Sequence, residues 1–300
     1  MNSVEIGINS SSGLPPDIAQ QNKPVAIITD STCDLPEAII KKKNIESIPT
    51  TVMFGEHSFL DKVTITQKDF LKMLQDKNQP HPTTGASSPE IYKTIYDGHP
   101  DTDIISIHVA SKLSAIHKHA ILASEELNTK RISVVDSETV SLGLGLMVLK
   151  AIELSENGLS VTDILSQLED MKSRTSLFAS LNTLEYIEKG GRISKLKGLL
   201  GSILALKPIL QIAHNEIVPY KSNIRKRTQS LQELKIIAEH HMPLEQVGVV
   251  HVDAEKEAND LANEISEFFT GNILLSEIGP ALTVHAGPKA VGVALVRQHL

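Results

Sequence analysis

Cysteine and aromatic residues are scarce in this 300-residue sequence, which contains one cysteine, Cys33, no tryptophan and only 3% aromatic residues. A single thiol cannot form an internal disulfide framework and is typical of a reducing compartment, so we expect a cytoplasmic location. The few aromatic side chains leave little material for a platform on which bases or sugars could stack. The composition therefore argues against a site of that kind.

An excess of positive charge and long apolar runs are also missing. The chain has 29 Lys and Arg against 36 Asp and Glu, a net charge of -7, whereas nucleic-acid binding requires a basic face. No apolar run approaches the roughly 18 residues of a membrane-spanning helix, so neither nucleic acid nor a membrane span is predicted. Residues 1–23 are rich in Ser, Asn, Gln and Pro and lack the pattern of a secretion signal. We predict that they form a flexible leader.

Short apolar runs alternate with helical patterns after the leader, and the chain is 41% hydrophobic, enough for a substantial core. Residues 25–29 and 104–109 are predicted strands, the first of which ends at the polar residues Asp30-Ser-Thr, and residues 140–154 have the all-round apolar pattern of a buried helix. Such alternation is typical of a parallel sheet with helices on its faces. We predict two α/β domains, over 24–175 and 176–300, with mainly parallel sheets flanked by helices.

The common motifs of cofactor and metal chemistry are absent. Gly143 and Gly145 lack the third glycine of the dinucleotide fingerprint, and no phosphate-binding loop of the GxxxxGK[ST] type occurs. No cysteine pair or His-x-x-x-His spacing offers a metal site, and no Gly-x-Ser-x-Gly elbow marks a nucleophilic serine. We therefore predict neither a cofactor nor a protein-bound metal.

One histidine has an unusual local setting. His285 lies between two Gly-Pro pairs in residues 277–292, after the apolar run 281–284, which we interpret as a strand followed by a tight turn. A histidine at that place could face a cleft and serve there as an acid, a base or a hydrogen-bond donor. The alternative interpretation is a structural loop with an incidental histidine.

Hydroxyl groups are concentrated where two helices are expected to begin. Residues 80–89 form a predicted loop that contains Thr84, and Ser111 and Ser114 lie in the first turn of the next predicted helix. Free N–H groups and the helix dipole favour an anion at such places. Ordinary helix capping is the alternative interpretation of each segment.

Aliphatic sequence accompanies these segments, chiefly at residues 140–154 and 199–210, where Gly and Ala leave space beside larger side chains. Hydroxyl groups at the mouth of an aliphatic tunnel would suit a fatty acid. Each buried CH2 contributes about 0.8 kcal/mol, while the carboxylate requires hydrogen bonds. The alternative is that the two segments only fill the core.

Seven segments occur together in a characteristic order: TDSTCDL at 29–35, PTTGASSP at 82–89, SKLS at 111–114, VDS at 135–137, LEYIEKGGRI at 184–193, LKPI at 206–209 and HAGP at 285–288. In these segments the sequence resembles the DegV family of bacterial fatty-acid-binding proteins, over residues 24–300. The resemblance implies a two-domain α/β protein that buries one long-chain fatty acid between its domains. It also implies that Thr84, Ser114 and His285 hold the carboxylate.

The resemblance further implies a partner, a separate fatty acid kinase subunit that phosphorylates the acyl carboxylate for phospholipid synthesis. Arg192, in the Gly-Gly-Arg motif, is the matching candidate for docking this kinase. ATP and Mg2+ would belong to the partner, so this chain would need no cofactor and would perform no catalysis itself.

Two segments depart from the family pattern. The chain has TGAS at 84–87 where TSQP is usual, and LSAI at 113–116 where LSGT is usual, so Ile116 replaces a hydroxyl. Two alternatives stay open beside the acyl-presenting role. One is a small-molecule enzyme that uses His285 as acid or base, and the other is an interaction protein with altered lipid binding.

Overall fold

The computed structural model describes residues 25–129, 131–192 and 206–299. The predicted leader over 1–23 and residues 199–205 of the predicted tunnel lie outside the described residues. The strands are β1 (Val25–Asp30), β2 (Glu46–Ile48), β3 (Thr51–Phe54), β4 (His57–Leu60), β5 (Thr83–Gly85), β6 (Asp103–His108), β7 (Ile132–Asp136), β8 (Thr175–Ser180), β9 (Ile209–Ala213), β10 (Glu216–Lys221), β11 (Leu244–His251), β12 (Ile273–Glu277) and β13 (Val291–Arg297). The helices are α1 (Glu37–Lys42), α2 (Gln67–Gln75), α3 (Pro89–Asp97), α4 (Ile116–Leu127), α5 (Leu142–Glu156), α6 (Val161–Arg174), α7 (Glu185–Lys189), α8 (Arg227–His240), α9 (Glu255–Ser266) and α10 (Pro280–Ala286).

The first sheet has the strand order β2-β1-β6-β7, and its described strands all pair in parallel. Strand β6 is buried except for its first residue, Asp103, which is partly exposed. A strand buried on both faces reads as a continuous apolar run, which is why the sequence identified it. The predicted α/β architecture is confirmed, and the carboxyl ends of β1 and β6 lie at the edge where such folds place ligand sites.

The second sheet has the order β10-β9-β8-β13-β11-β12 and is mixed, whereas mainly parallel pairing was expected. Among its described strands, only β11 and β12 pair in parallel. Strands β9 and β10 form a hairpin through His214 and Asn215, which both have positive φ and match a two-residue turn. Strand β13, which the sequence interpretation missed, lies antiparallel between β8 and β11. The β9–β10 hairpin and the position of β13 between β8 and β11 therefore account for antiparallel pairs that the sequence did not predict.

A small third sheet, in the order β4-β3-β5, carries part of the hydroxyl-rich segment. Residues 80–89 were predicted to form a loop, but Thr83–Gly85 pair with β3, so Thr84 lies opposite Val52. The face of this sheet that includes Val52 packs against α10, where Ala281 and Val284 join the same buried cluster. The third sheet therefore brings Thr84 next to the helix that carries His285.

The prediction of a strand over 281–284 is wrong, because these residues lie in α10. Gly279 precedes the helix and Pro280 occupies its first turn, a position that suits proline because its missing N–H needs no partner there. Ala281 and Val284, three residues apart, point to one buried face. An apolar run of four residues fits the strand and helix periods equally well, so its pattern could not distinguish them.

Helix α5 lies between the two large sheets. It contacts β1 and β6 on one side and β8, β11 and β13 on the other. Ten of its fifteen residues are buried, including all of Leu142 to Val148, in keeping with the apolar pattern, and one hydrophobic cluster extends through the helix into both sheets. The predicted boundary at 175/176 falls at the start of β8, the first strand of the second sheet along the chain. The division into two domains stays a prediction.

Candidate functional site

A cavity lies between the carboxyl edge of the first sheet and a face of the second sheet. The space free of protein atoms amounts to about 950 Å3, a value that includes solvent at its open mouth. Most of its wall is aliphatic, and representative apolar lining residues are Leu177, Leu210, Ile212, Ile217, Val250 and Leu282. Such a wall suits an apolar ligand with few polar groups.

Small residues on two neighbouring strands make room for this cavity. Ala179 on β8 lies directly opposite Gly292 on β13, and both line the space. A Cβ at Gly292 would lie 3.0 Å from the carbonyl oxygen of Phe178 and 3.1 Å from Val250 Cγ2. The second sheet therefore supplies a large part of the aliphatic wall and, on two of its inner strands, small residues.

Thr84, Ser114 and His285, the three predicted head-group residues, all line this cavity. The Oγ1 atom of Thr84 lies 3.1 Å from Nε2 of His285, across 201 positions of sequence. Strand β5 holds the threonine and α10 holds the histidine, and these two elements are in contact. The structure thus brings two of the three residues into hydrogen-bond contact and places the third on the same wall.

The imidazole of His285 is neutral in this environment. Burial lowers its pKa to about 3, with smaller contributions from Arg192 and His81. A neutral imidazole has one N–H, and the Thr84 hydroxyl has one O–H, so the pair holds two donor hydrogens. One of them serves the bond between the two side chains. When the imidazole proton is on Nε2, it forms this bond and the Thr84 O–H is left for a ligand oxygen.

The second ring nitrogen of His285, Nδ1, has no hydrogen-bond partner among the described residues. This nitrogen lies against Gly190, the residue that ends α7, and a Cβ at that position would collide with it. The backbone of Gly190 has φ near -72°, which any residue can adopt. Glycine is needed here because a side chain would collide with the imidazole. The Gly-Gly-Arg segment therefore contributes to the site by letting the imidazole pack closely.

Arg192, predicted to dock a partner, lines the cavity as well. Its Nη1 donates to the Gly190 carbonyl at 2.5 Å and its Nε donates to the Leu113 carbonyl at 3.4 Å. Burial lowers the pKa of the guanidinium, and within the described ranges no carboxylate forms an ion pair with it. The side chain thus adds positive charge near His285.

Ser114 and Ser111 have different positions from those expected. Helix α4 begins at Ile116 rather than at Ser111, and Ser114 Oγ accepts a 3.3 Å hydrogen bond from the Ile116 N–H. Ser114 therefore satisfies a helix N–H while it also lines the cavity. Ser111 bonds to Asn215 and, through its N–H, to Asp136, outside the cavity wall.

Three polar residues of the wall were missed by the sequence interpretation: Thr32, Thr50 and Ser141. Thr32 follows β1 and donates its hydroxyl to Asp30, and Ser141 donates to Asp34 at 2.7 Å. Thr50 Oγ1 is different, since it has no hydrogen-bond partner in the described part of the chain. The TDSTCDL motif could have pointed to Thr32, but nothing in the local sequence distinguishes Thr50.

A serine, a histidine and an aspartate do come together, but away from the cavity. Ser106 Oγ lies 2.7 Å from His108 Nε2, and His108 Nδ1 lies 3.1 Å from Asp30 Oδ2. All three side chains are buried, and Tyr96 occupies the other side of the Ser106 hydroxyl at 2.9 Å. A substrate cannot reach this serine, so the arrangement is a core hydrogen-bond network rather than a nucleophilic triad.

In ranges 25–129, 131–192 and 206–299, no group of three His, Cys, Asp or Glu side chains is arranged to hold a metal ion. Within the same ranges, none of the helices combines the length and apolar character that crossing a bilayer requires.

Comparison with known proteins relates the whole described fold to one family. Residues 24–298 match a family model described as an uncharacterised protein of the DegV family. A DegV domain-containing protein of Clostridium perfringens is 34% identical over 282 residues, which cover 91% of this chain and 99% of the relative. The similarity therefore extends across both large sheets.

Solved structures of DegV family proteins are also similar to this chain over nearly their whole length. A DegV family protein from Thermus thermophilus, described by its fatty acid binding, superimposes with a TM-score of 0.84 at 28% identity, covering 91% of this chain and 99% of that one. DegV from Bacillus subtilis, a fatty acid binding protein, gives a TM-score of 0.81 at 29% identity, with coverage of 92% and 100%.

Proposed function

Since this chain belongs to the DegV family, as its sequence motifs predicted, we propose that it binds a long-chain fatty acid in the cavity between its sheets. The observation that carries the proposal is the combination of an aliphatic cavity with a donor-rich end, where Thr84 and His285 share one hydrogen bond. The fatty acid binding described for the relatives from Thermus thermophilus and Bacillus subtilis supports it.

The physical balance of such a site is favourable. A long acyl chain that leaves water gains about 10 kcal/mol before entropic costs, at roughly 0.8 kcal/mol per CH2. A buried carboxylate would cancel this gain unless it accepted hydrogen bonds. The unused donor of the Thr84–His285 pair, the Ser114 hydroxyl and the nearby charge of Arg192 are the groups that we propose hold it.

Lipid extraction tests the binding proposal directly. Protein purified from bacterial cells is examined by native mass spectrometry, then delipidated and titrated with palmitate or oleate. We expect one fatty acid per chain in the native spectrum and saturable uptake after delipidation. Protein that arrives empty and takes up neither acid contradicts the proposal.

Substitutions at the polar end test where the head group lies. Thr84→Val, Ser114→Ala and His285→Ala each remove one hydrogen-bond donor from the proposed head-group site, so each is expected to weaken palmitate binding by about tenfold or more. Two matched controls lie close by. Thr83→Val changes an exposed residue next to Thr84, and Ser124→Ala removes a hydroxyl that bonds within α4. Normal affinity in all three test variants would place the head group elsewhere.

We further propose that the loaded protein presents its carboxylate to a separate fatty acid kinase, with Arg192 at the docking surface. The position of Arg192 beside His285 supports a kinase contact next to the head group. The test combines loaded protein, a bacterial fatty acid kinase subunit, ATP and Mg2+, and measures acyl phosphate. Arg192→Ala is expected to reduce product formation more than palmitate affinity. Equal losses would assign Arg192 to the ligand alone, and no product with wild-type protein would refute the partnership.

An enzyme that uses His285 as acid or base fits the site less well. General acid–base catalysis is most efficient when the pKa of the group lies near the working pH. Burial holds the pKa of His285 at about 3, and within the described residues its polar contact is a threonine rather than an orienting carboxylate. The same neutral imidazole is well suited to donating a hydrogen bond.

A further inference from the structure

The hydroxyl of Thr50 is a buried polar group without an assigned role. Its residue is 5% exposed and lines the cavity, and Oγ1 has no hydrogen-bond partner among the described residues. Both backbone groups of Thr50 are paired, because its N–H donates to Ser31 Oγ at 3.0 Å and its carbonyl accepts from the Asp61 N–H at 2.8 Å. Within the described residues, the side-chain hydroxyl is therefore the one polar group of Thr50 that lacks a partner.

The strand register places this hydroxyl near the head-group end of the cavity. Thr51 pairs with Gly85 and Val52 pairs with Thr84. Continuing the antiparallel register puts Thr50 opposite Ala86 and on the same face as Thr84, as its diagonal neighbour at about 7–8 Å. This is the face that packs on α10 through Val52. Thr50 thus shares a sheet face with Thr84, which contacts His285.

An unpaired buried hydroxyl requires an explanation, since native proteins pair nearly all such groups. The fold itself does not need this hydroxyl, because a valine would occupy the same volume and suit a position beside a strand at least as well. The hydroxyl of the neighbouring wall residue Thr32 is already used by Asp30. A ligand oxygen is the partner that the cavity can supply.

We propose that Thr50 Oγ1–H donates a hydrogen bond to the ligand carboxylate, as a further arm of the clamp formed by Thr84, Ser114 and His285. A carboxylate offers about four acceptor sites, so one more donor can be accommodated. This inference rests on the proposed function, since it assigns a contact within the same fatty acid site. It also predicts that part of the preference for an acid over its ester depends on Thr50.

The test compares two ligands in delipidated protein, palmitate and methyl palmitate, which share the acyl chain but differ in charge at the head group. Thr50→Val removes the hydroxyl at constant shape, and Thr50→Ser retains it. Thr51→Val is the matched control, because the adjacent side chain points to the opposite face of the strand. Dissociation constants are measured by calorimetric titration, and folding of each variant is checked by circular dichroism.

We expect Thr50→Val to weaken palmitate binding by about tenfold and methyl palmitate binding by less than about twofold. Thr50→Ser and Thr51→Val should stay within about twofold of wild type for both ligands. If Thr50→Val fails to fold, Thr50→Ala and Thr50→Ser replace it as the pair without and with the hydroxyl.

Two results overturn the inference while leaving the proposed function intact. One is an unchanged palmitate affinity in Thr50→Val, or equal affinities in the Ala and Ser pair. The other is an equal loss for acid and ester, which would mean that Thr50 only shapes the wall. Wild-type protein that binds neither ligand is a different outcome, because it refutes the fatty acid site itself and with it the role of Thr50.

Discussion

Two polar clusters built around a histidine differ in how completely their hydrogen bonds are satisfied. In the first, both ring nitrogens of His108 are paired, with Ser106 at 2.7 Å and Asp30 at 3.1 Å, and nothing is exposed. In the second, His285 bonds to Thr84 at 3.1 Å while its Nδ1 lacks a partner in the described residues. The first is a closed core network, and the second is open toward a cavity.

The two clusters also differ in what they connect. Asp30 ends β1 and accepts from the Val109 N–H at 3.1 Å, so it ties the ends of two adjacent strands together. His285 and Thr84 instead join a short helix to a three-residue strand beside the cavity. A satisfied network of the first kind stabilises the fold, whereas an incomplete one leaves donors for a ligand. Five substitutions test this distinction.

The largest effect is expected at the closed cluster, where Asp30→Ala leaves His108 and two N–H groups buried without their acceptor. Removing one partner from a buried network typically costs about 3–5 kcal/mol of unfolding free energy. Urea unfolding of delipidated protein measures this, with Asp101→Ala at an exposed turn as a control expected to stay within about 0.5 kcal/mol. A loss below about 1 kcal/mol would show that the closed cluster contributes little to the stability of the fold.

The next effect concerns the packing of His285 on Gly190. Gly190→Ala introduces a Cβ that collides with Nδ1, so the imidazole must shift, and we expect a loss of about 1–3 kcal/mol of stability and about tenfold in palmitate affinity. Gly191→Ala is the matched control. Its Cβ would meet no atom within 4 Å, but its φ of 73° makes alanine strained, which costs about 1 kcal/mol. The two glycines should therefore differ in affinity more than in stability, and equal affinities would contradict the packing argument.

A pH titration tests whether the His285 imidazole of the open cluster stays unprotonated in the folded protein. The folded-state pKa of His285 is about 3, below its unfolded value near 6.5. Between these values only the unfolded chain binds the proton. The contribution of His285 to the free energy of unfolding is therefore complete above pH 6.5 and is lost as the pH falls toward 3. The slope is at most about 1.4 kcal/mol per pH unit.

The measurement is the difference in unfolding free energy between wild type and His285→Asn across this range, without ligand. Asp61, whose pKa burial raises to about 6, works in the opposite direction because its folded state holds a proton that the unfolded chain releases. Both proteins contain Asp61, so its contribution cancels in the difference. A difference that does not shrink below pH 6.5 would mean that the imidazole accepts a proton in the folded protein.

The sequence predicted the closed cluster's setting better than that of the open one. The apolar runs over 25–29 and 104–109 identified β1 and β6, and parallel strands bring their ends together. Strand β5 contains two threonines and a glycine, and α10 contains an ambiguous apolar run, so neither was predicted from periodicity. The proximity of Thr84 and His285 across 201 positions came from the family resemblance alone. Thr50 was missed because the role proposed for it depends on strand register, which cannot be read from the neighbouring residues in the sequence.

The smallest effect on the free energy of unfolding is expected when the threonine of the open cluster, Thr84, is replaced. Thr84→Val removes one hydrogen bond of modest net value, about 0.5–1.5 kcal/mol, but places a better strand former on β5. We expect the unfolding free energy of delipidated protein to change by less than about 1 kcal/mol, in either direction. Ser106→Ala in the closed cluster is the paired experiment, because it leaves Tyr96 and His108 without a shared partner and should cost about 1–3 kcal/mol. If Thr84→Val proved as costly as Ser106→Ala, the Thr84–His285 bond would belong to the fold rather than to a ligand site.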